Sequence, residues 1–266
     1  SATIEGALKK GTDAYQNGVK FNNSALLNCG FASLVDAIMA VKEFVYDKKD
    51  VTLEALSAAL AADWKGFEDL HTKVVKSPHK YGNDDAETDR YAEAMSAYFA
   101  SKVNNRPNAR GGVYKAIMHT AMEFVWEGEK TGATPDGRYA GDEISKNGSP
   151  SVGMDREGVT ALIKSALKAR PYTYCESFCV DVMLHPTAVS GDEGLEIMKS
   201  LLFMYMKNGG QTVQFNVFNT ETLRDAQKRP EKYQNLQVRV CGWNVLWNNL
   251  SEKEQNAYIT RAENIR

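Results

Sequence analysis

The spacing of apolar residues predicts that the first third of the chain is helical. Apolar positions recur at helical spacing over residues 31–45, and Thr52 precedes a second run of Ala and Leu that reaches residue 64. A threonine in that position can cap a helix, so the second helix is expected to begin there. A polar stretch over residues 77–85 predicts a loop, and a third helix is expected over about residues 87–103.

Beyond residue 112 the pattern predicts strands that alternate with helices. Residues 113–126 are apolar and favour a buried strand together with the residues that lead into it. A loop rich in Gly and Pro is expected over residues 128–153. Further strands are predicted over residues 174–184, 212–218 and 236–240. Helices are predicted over residues 158–169, from a capping box at Ser190 to residue 209, from Thr220 to Pro230, and from a capping box at Ser251 to residue 262. Such alternation is typical of α/β proteins with parallel strand pairs.

The composition of the chain mainly excludes some classes of protein. Of the 266 residues, 43% are hydrophobic and 25% are charged, which is ordinary for a globular protein with a substantial core. The net charge of -2 gives no reason to expect nucleic acid or a membrane as a partner, and no apolar stretch is long enough to span a bilayer. No charged-then-apolar leader opens the chain, and four cysteines make no dense disulfide framework. These features predict a cytoplasmic protein.

Five segments carry the specific signals, and they follow one another along the chain. They are Lys-Tyr-Gly-Asn-Asp-Asp at residues 80–85, Thr-Gly-Ala-Thr-Pro-Asp-Gly-Arg at 131–138, Ser-Pro-Ser at 149–151 with Gly153 and Asp155, the stretch from Gly209 through Gln-Phe-Asn-Val at 214–217, and Val-Arg-Val-Cys-Gly-Trp at 238–243. In this order they resemble the C-terminal part of the glycyl radical enzymes, the family of pyruvate formate-lyase and its dehydratase, decarboxylase and lyase relatives. The resemblance runs from about residue 22 to the end of the chain.

The resemblance implies that Gly242 stores an unpaired electron, in a loop formed with Arg239, Val240, Cys241 and Trp243. A backbone radical is stabilised when its Cα lies in one plane with the amide nitrogen on one side and the carbonyl on the other. Glycine reaches that geometry because it has no Cβ to clash with its neighbours. The flanking apolar residues are expected to shield Gly242, and Cys241 is interpreted as a tolerated small residue. The alternative is a structural glycine at a bulge in a strand.

The family also implies partners for this chain. In glycyl radical enzymes the glycine radical oxidises a cysteine on a Gly-Cys-x-Glu-type loop far upstream, and the thiyl radical then takes hydrogen from the substrate. Cys29 is the only early cysteine here, has no glutamate after it, and is interpreted as a small packed thiol. The resemblance therefore implies a larger partner subunit that carries the catalytic cysteine, unless the chain is a C-terminal portion of one protein. It also implies an S-adenosylmethionine and iron–sulfur activating enzyme, with no cofactor bound in the finished enzyme.

The substrate pocket has several candidate residues in this chain. In the family, the segment before the second motif is a barrel strand that lines the pocket, and residues 122–128 match it here with a different sequence. The candidates are His119, Met122, Phe124, Glu176 and Asp181. The alternative for His119, Met122 and Phe124 is that they pack in the core. The alternative for the two carboxylates is that they are solvated or cap a helix.

Other residue types in the sequence suggest structural roles. Only four histidines occur, none in a ligand-like pair, so no metal site is predicted. Cys175 and Cys179 are expected to share one face of a strand. Asp136 and Arg138 are assigned to shaping the Pro-Asp-Gly-Arg turn rather than to chemistry.

By resemblance, the fold is α/β and comprises half of a ten-stranded α/β barrel, a five-stranded half-barrel, with a C-terminal glycine radical domain. Residues 1–140 are assigned to the pyruvate formate-lyase-like barrel and residues 141–266 to the radical domain. A half-barrel exposes an unpaired sheet edge, which also favours a partner that carries the other half.

The expected reaction acts on a small molecule. It is dehydration or another elimination that breaks a C–O, C–N or C–S bond. Two alternatives are a spare-part protein that repairs an oxygen-cleaved glycyl radical enzyme and a non-catalytic structural subunit.

Overall fold

The structure is a computed structural model that describes residues 1–240 and 242–263 of the chain. Its α-helices are α1 Glu5–Lys10, α2 Phe31–Val41, α3 Leu53–Ala61, α4 Glu68–Lys76, α5 Ala86–Val103, α6 Glu123–Glu129, α7 Gly158–Lys168, α8 Gly191–Lys207, α9 Thr220–Lys228 and α10 Glu252–Glu263. Helix α2 continues as a π-helical segment, Lys42–Asp47, so the helix predicted over residues 31–45 is confirmed. Across the described residues, no helix is both long and apolar enough to cross a membrane.

Four strands form a parallel sheet in chain order: β1 Ser24–Leu27, β2 Tyr114–Met118, β3 Ser177–Leu184 and β4 Thr212–Val217. Strands β5 Gln237–Val240 and β6 Trp243–Leu246 form a separate antiparallel hairpin. The α/β class with parallel pairing is confirmed. Within the described residues the parallel sheet has four strands, whereas five were expected of a half-barrel.

The main core lies around β3, nearly all of whose residues are buried, as is usual for a central parallel strand. Phe178, Val180 and Val182 pack there with side chains from α2, α5, α7 and α8. A second cluster, centred on Trp247, joins α9, the hairpin and α10. A third joins α2, α3 and α4 around Trp64. The second cluster fixes the hairpin against the end of the chain.

Two helices begin at the predicted capping residues. The Thr52 hydroxyl accepts a hydrogen bond from Ala55 N at 3.1 Å at the start of α3. Ser251 and Glu254 form the predicted capping box, because Ser251 N donates to Glu254 Oε2 at 2.7 Å and Glu254 N donates to Ser251 Oγ at 3.4 Å.

Two other predicted caps are wrong. Ser190 makes no side-chain cap for α8, because its hydroxyl donates backwards to Thr187 O at 3.2 Å. Asn219 rather than Thr220 caps α9, since the Asn219 side chain accepts from Thr222 N at 2.7 Å. The helices themselves are present at the predicted places.

The strand predicted over residues 113–126 is only partly correct. It ends at Met118, and α6 occupies the residues that were expected to continue as a pocket-lining barrel strand. The Glu123 carboxylate accepts from Ala121 N at 2.7 Å, which satisfies an amide that a continuing strand would have paired with a neighbour. Residues 123–129 are therefore helical and the strand expected there is wrong, whereas the role of this segment in the substrate pocket stays a prediction.

The parallel sheet crosses the predicted domain boundary at residue 140. Strands β1 and β2 precede that residue, and β3 and β4 follow it. Strands β3 and β4 pair over six positions. Within the described residues, β2 and β3 pair only at Ile117 with Ser177 and at Met118 with Phe178. The division into two domains stays a prediction, and this short pairing lies where it would fall.

Candidate functional site

Gly242 lies at the tip of the β5–β6 hairpin. The strands pair antiparallel from Gln237 with Leu246 to Val240 with Trp243, and Gly242 lies between the two strands. Cys241 lies outside the described residues, so its part in the predicted interruption of the strand stays a prediction.

Backbone conformation, rather than crowding, favours glycine at this tip. Gly242 has a φ of +94°, a region in which the Cβ of any other residue is strained. A Cβ added to Gly242 would meet no atom within 4 Å. The space in the direction of an added Cβ is therefore open.

The flanking side chains do not enclose Gly242, contrary to expectation. Val240 is buried, but Gly242 is exposed and Trp243 retains 50% of its accessible surface. The reason is that Val240 packs into the second cluster, whereas Trp243 is not among the members of that cluster. Arg239 is also exposed, and its guanidinium donates to Asn244 Oδ1 at 3.1 Å.

Polar side chains from β4 and α10 hold the hairpin. Asn216 Oδ1 accepts from Arg239 N at 3.1 Å, and Asn216 Nδ2 donates to Arg239 O at 3.5 Å. The Tyr258 hydroxyl donates to the same carbonyl at 3.1 Å. Gln214 reaches the tip itself, because its Oε1 accepts from Gly242 N at 3.3 Å. Gln214 and Asn216 are both buried, so these bonds lie in the interior beneath an exposed tip.

A buried ion pair lies directly behind Gln214. Gln214 Nε2 donates to Asp181 Oδ1 at 2.6 Å, and Lys146 Nζ donates to the same oxygen at 3.0 Å. The side chains of Lys146 and Asp181 are only 2% and 8% exposed. The other carboxylate oxygen accepts from Asn147 Nδ2 and, at 3.4 Å, from Ser149 Oγ. Both oxygens are thus hydrogen-bonded, as a buried charge requires.

Neighbouring cations keep Asp181 ionised. Burial by itself would raise the pKa of Asp181, but the Lys146 and Arg261 cations hold that pKa below its usual value. Asp155 behaves differently, since burial raises its pKa to about 6 against a smaller lowering by Arg261. Both acids line one cavity of about 190 Å³. The hairpin therefore rests on a carboxylate whose ionised form is favoured, and Asp155 in the wall of the same cavity has a raised pKa.

The structure places the predicted pocket residues in different surroundings. His119 and Met122 follow the end of β2 and are half-buried. Phe124 is buried in α6, with the Arg261 guanidinium 4.8 Å from its ring centroid. Glu176 is exposed just before β3 begins. The participation of these four residues in substrate binding stays a prediction.

The three described cysteines also differ from one another. Cys29 is half-buried, and burial, followed by the charges of Glu123 and Glu127, raises the pKa of its thiol to about 12. Cys175 is exposed ahead of β3 and Cys179 is buried within it, so they do not share a strand face as predicted. Among the described residues, no group of three or more His, Cys, Asp and Glu side chains could hold a metal ion.

Arg138 organises the loop between α6 and α7, in agreement with its assignment to architecture. Asp136 accepts from the Thr134 hydroxyl, and Arg138 Nε donates to that same hydroxyl at 3.1 Å. The Arg138 guanidinium also donates to the backbone carbonyls of Thr131, Gly132, Tyr139 and Asp142. Asp136 and Arg138 are therefore coupled through one shared threonine.

The residues that hold the hairpin do not follow from the motifs of the sequence. Gln214 and Asn216 lie within one motif, which by itself gives them no role, and Lys146 lies outside all of the motifs. Polar residues alternate with apolar ones along this strand, at positions 212, 214 and 216, and that pattern marks the face that carries Gln214 and Asn216. Lys146 lies in a loop and offers no such signal.

Comparison with known proteins identifies the family. The profile described as pyruvate formate lyase-like matches residues 1–128, and the profile described as glycine radical matches residues 144–248, which include the hairpin. The trans-4-hydroxy-L-proline dehydratase of Clostridioides difficile is 33% identical over 263 residues, or 99% of this chain. The chain belongs to the glycyl radical enzyme family. Its glycine radical domain implies a glycyl radical as a post-translational modification.

Solved structures of longer proteins share the fold. The glycerol-bound B12-independent glycerol dehydratase from Clostridium butyricum matches with a TM-score of 0.92, at 34% identity over 98% of this chain. A structure concerned with 1,2-propanediol dehydration in Roseburia inulinivorans matches with a TM-score of 0.92, at 33% identity over 97% of this chain. The chain spans only 33% of the length of each of these three relatives. It has the fold of one part of a larger barrel protein.

Proposed function

We propose that this chain is the radical-storing part of a glycyl radical dehydratase, with Gly242 as the residue that carries the unpaired electron. The observation that carries the proposal is the position of Gly242 at an exposed hairpin tip, with positive φ and open space where a Cβ would lie. An exposed Cα hydrogen is accessible to an activating enzyme. That enzyme would be an S-adenosylmethionine and iron–sulfur protein that removes one hydrogen atom from Gly242.

The cysteine that receives the radical is proposed to lie outside this chain. Cys29, with its raised pKa and half-buried thiol, and Cys179, inside β3, are both packed into the fold. A larger partner subunit, or the rest of a longer chain, would supply the thiol and the other half of the barrel. The same partner would cover Gly242 and Trp243, which this chain leaves exposed.

The sheet offers a surface for that partner. Strand β1 is the edge of the parallel sheet, and its apolar Leu26 and Leu27 are exposed. An open edge with apolar side chains is an unfavourable end for a sheet and is normally paired or covered. Completion of a barrel from two halves would cover it.

Dehydration of a hydroxylated small molecule is the proposed reaction. The three relatives described above are, by name, dehydratases of hydroxyproline and glycerol and a protein of propanediol dehydration. In such a reaction the partner thiyl would take a hydrogen atom from the carbon beside the hydroxyl-bearing carbon. The hydroxyl group would leave with a proton as water, and the thiol would return a hydrogen atom to the product radical. No observation favours the repair or purely structural alternatives.

Anaerobic electron paramagnetic resonance tests the assignment. The chain, incubated with a radical S-adenosylmethionine activating enzyme and the partner, is expected to give a doublet, because one hydrogen remains on the Gly242 Cα. Gly242→Ala is expected to abolish the signal.

Gly66→Ala provides the matched control. Gly66 also has a positive φ, +82°, with no atom within 4 Å of an added Cβ, but it lies far from the motif in the sequence. A doublet that survives Gly242→Ala, or disappears equally in Gly66→Ala, would refute the assignment to Gly242.

A further inference from the structure

The backbone N–H of Gly242 is held by a side chain of the neighbouring sheet. Gly242 N donates to Gln214 Oε1 at 3.3 Å, although Gly242 itself is exposed. Gln214 is 6% exposed and lies in β4. One face of the tip is therefore bonded to the interior while the other is open.

The chemistry of its partners fixes the orientation of the Gln214 amide group. A glutamine side chain has a donor NH₂ end and an acceptor oxygen, which its partners must distinguish. Gln214 Nε2 lies 2.6 Å from Asp181 Oδ1 and 3.1 Å from the Arg239 carbonyl oxygen, both of which only accept. The NH₂ end must face these two oxygens, so the Gln214 oxygen faces Gly242 N–H.

The ion pair behind Gln214 stabilises this orientation of the Gln214 side-chain amide. Asp181 accepts without donating at either oxygen only while it is ionised, and Lys146 at 3.0 Å favours the ionised carboxylate and holds it in place. Lys146 and Asp181 are almost fully buried, so solvent screens their interaction little. A chain of contacts thus runs from Lys146 through Asp181 and Gln214 to the Gly242 amide.

We propose that Gln214 is a positioning residue that holds the Gly242 N–H with its side-chain oxygen and so fixes the peptide plane on the nitrogen side of the Gly242 Cα. The inference rests on the proposed role of Gly242 as the radical residue. A Cα radical is delocalised onto the amide nitrogen only when that peptide plane is coplanar with the radical centre. At the φ of +94° the Gly242 carbonyl lies well out of that plane, so the carbonyl side must rotate when the radical forms, while Gln214 holds the nitrogen side. Bonding of the N–H to an acceptor also increases electron donation by the nitrogen. Gln214 would therefore prolong the lifetime of the radical.

Amide hydrogen exchange of Gly242 in the unactivated full chain tests the contact without any radical. With ¹⁵N-glycine labelling, Gln214→Met is expected to accelerate exchange at Gly242 about tenfold, because one hydrogen bond is lost. Gln211→Met is the matched control. Gln211 lies three residues earlier and donates to Tyr174 O at 2.8 Å, so its loss should leave the Gly242 rate unchanged.

Two outcomes would overturn the proposal. One is a Gly242 rate that is the same in Gln214→Met as in the wild type. The other can be measured on the wild-type protein alone, and it is that the Gly242 amide exchanges as fast as an amide in an unstructured peptide. In the activated holoenzyme, Gln214→Met is expected to shorten the life of the doublet, and Gln211→Met is not. If the wild type gives no doublet, the proposed function fails, while the exchange result still decides the contact.

Discussion

Lys146 Nζ lies 3.0 Å from Asp181 Oδ1 in the interior of the protein, where loop and sheet meet beneath the hairpin. The ammonium also lies 5.8 Å from the Phe124 ring centroid and 6.0 Å from that of Tyr258. One cation therefore connects β3, α6 and α10. Its loss should affect the stability of the whole arrangement.

We expect Lys146→Met to destabilise the protein by about 3–5 kcal/mol, because it leaves a carboxylate buried without its cation. Urea unfolding monitored by circular dichroism measures this. Lys199→Met is the control, since Lys199 and Glu196 are exposed and their pair should contribute less than about 1 kcal/mol. Equal losses in both variants would contradict the importance of the buried pair.

Asp36 is expected to make the protein less stable as the pH rises. Its Oδ1 accepts from Tyr81 N at 2.7 Å, whereas its buried Oδ2 has no hydrogen-bond partner among the described residues. Burial raises the pKa of Asp36 to about 7, partly opposed by the Lys80 cation. In the unfolded chain the carboxyl ionises near pH 3.9, so the folded state binds more protons between about pH 4 and pH 7.

The contribution of Asp36 to stability is therefore complete below about pH 4 and is lost as the pH rises to about 7. Asp36→Asn should remove a slope of at most about 1.4 kcal/mol per pH unit in this interval. Thermal unfolding from pH 4 to pH 8 measures the slope. Asp192→Asn, at an exposed acid in α8, should leave it unchanged. An identical slope in the wild type and in Asp36→Asn would contradict the expectation that Asp36 causes it.

Arg138→Lys is expected to destabilise the loop between α6 and α7 by about 1–3 kcal/mol. The guanidinium bonds one hydroxyl and four carbonyls, whereas an ammonium has only three donors and leaves buried acceptors unpaired. Differential scanning calorimetry measures the loss. Arg90→Lys serves as control, because Arg90 is exposed and its ion pair with Glu87 is long, at 3.7 Å. A loss no greater than that of the control would contradict the argument.

Arg261 is expected to control how firmly α10 is docked. It pairs with Glu143 at 3.4 Å with both side chains largely buried, and it lies over the Phe124 ring. Arg261→Gln should raise hydrogen exchange throughout α10 several-fold, measured by mass spectrometry. Lys253→Gln, which breaks the exposed pair of α10 with Glu129, should have a much smaller effect. Unchanged protection of α10 in Arg261→Gln would disprove the expectation.

Local structure can be predicted from the sequence where a single residue determines it. The prediction fails where packing against other parts of the chain determines the structure. Thr52 and the box at Ser251 fix helix starts by bonds to their own backbone, so both could be predicted. Strand β6 was missed because the dipeptide Cys-Gly between Val240 and Trp243 is not among the strong sequence signals for a hairpin. Helix α6 was missed because the bond from Ala121 N to Glu123 diverts an apolar run that otherwise favours a strand.

For the candidate site, the sequence predicted the glycine but not the side chains that hold it. The motif places Gly242, whose identity follows from backbone chemistry alone. The link from Gln214 to Lys146 depends on a loop that folds back onto β3, which no spacing along the chain reveals. The expected shielding by Trp243 failed for a related reason, since shielding requires a surface that this chain does not provide.

The strand pairing within the parallel sheet is unequal from one neighbour to the next. Two paired positions join β2 to β3, whereas six join β3 to β4. Every described hydrogen-bond partner of the Gly242 tip, and the ion pair behind it, comes from β3 or from residues beyond 140. The groups that hold the Gly242 tip therefore all lie on one side of this short pairing, so its hydrogen bonds do not depend on the register between β2 and β3.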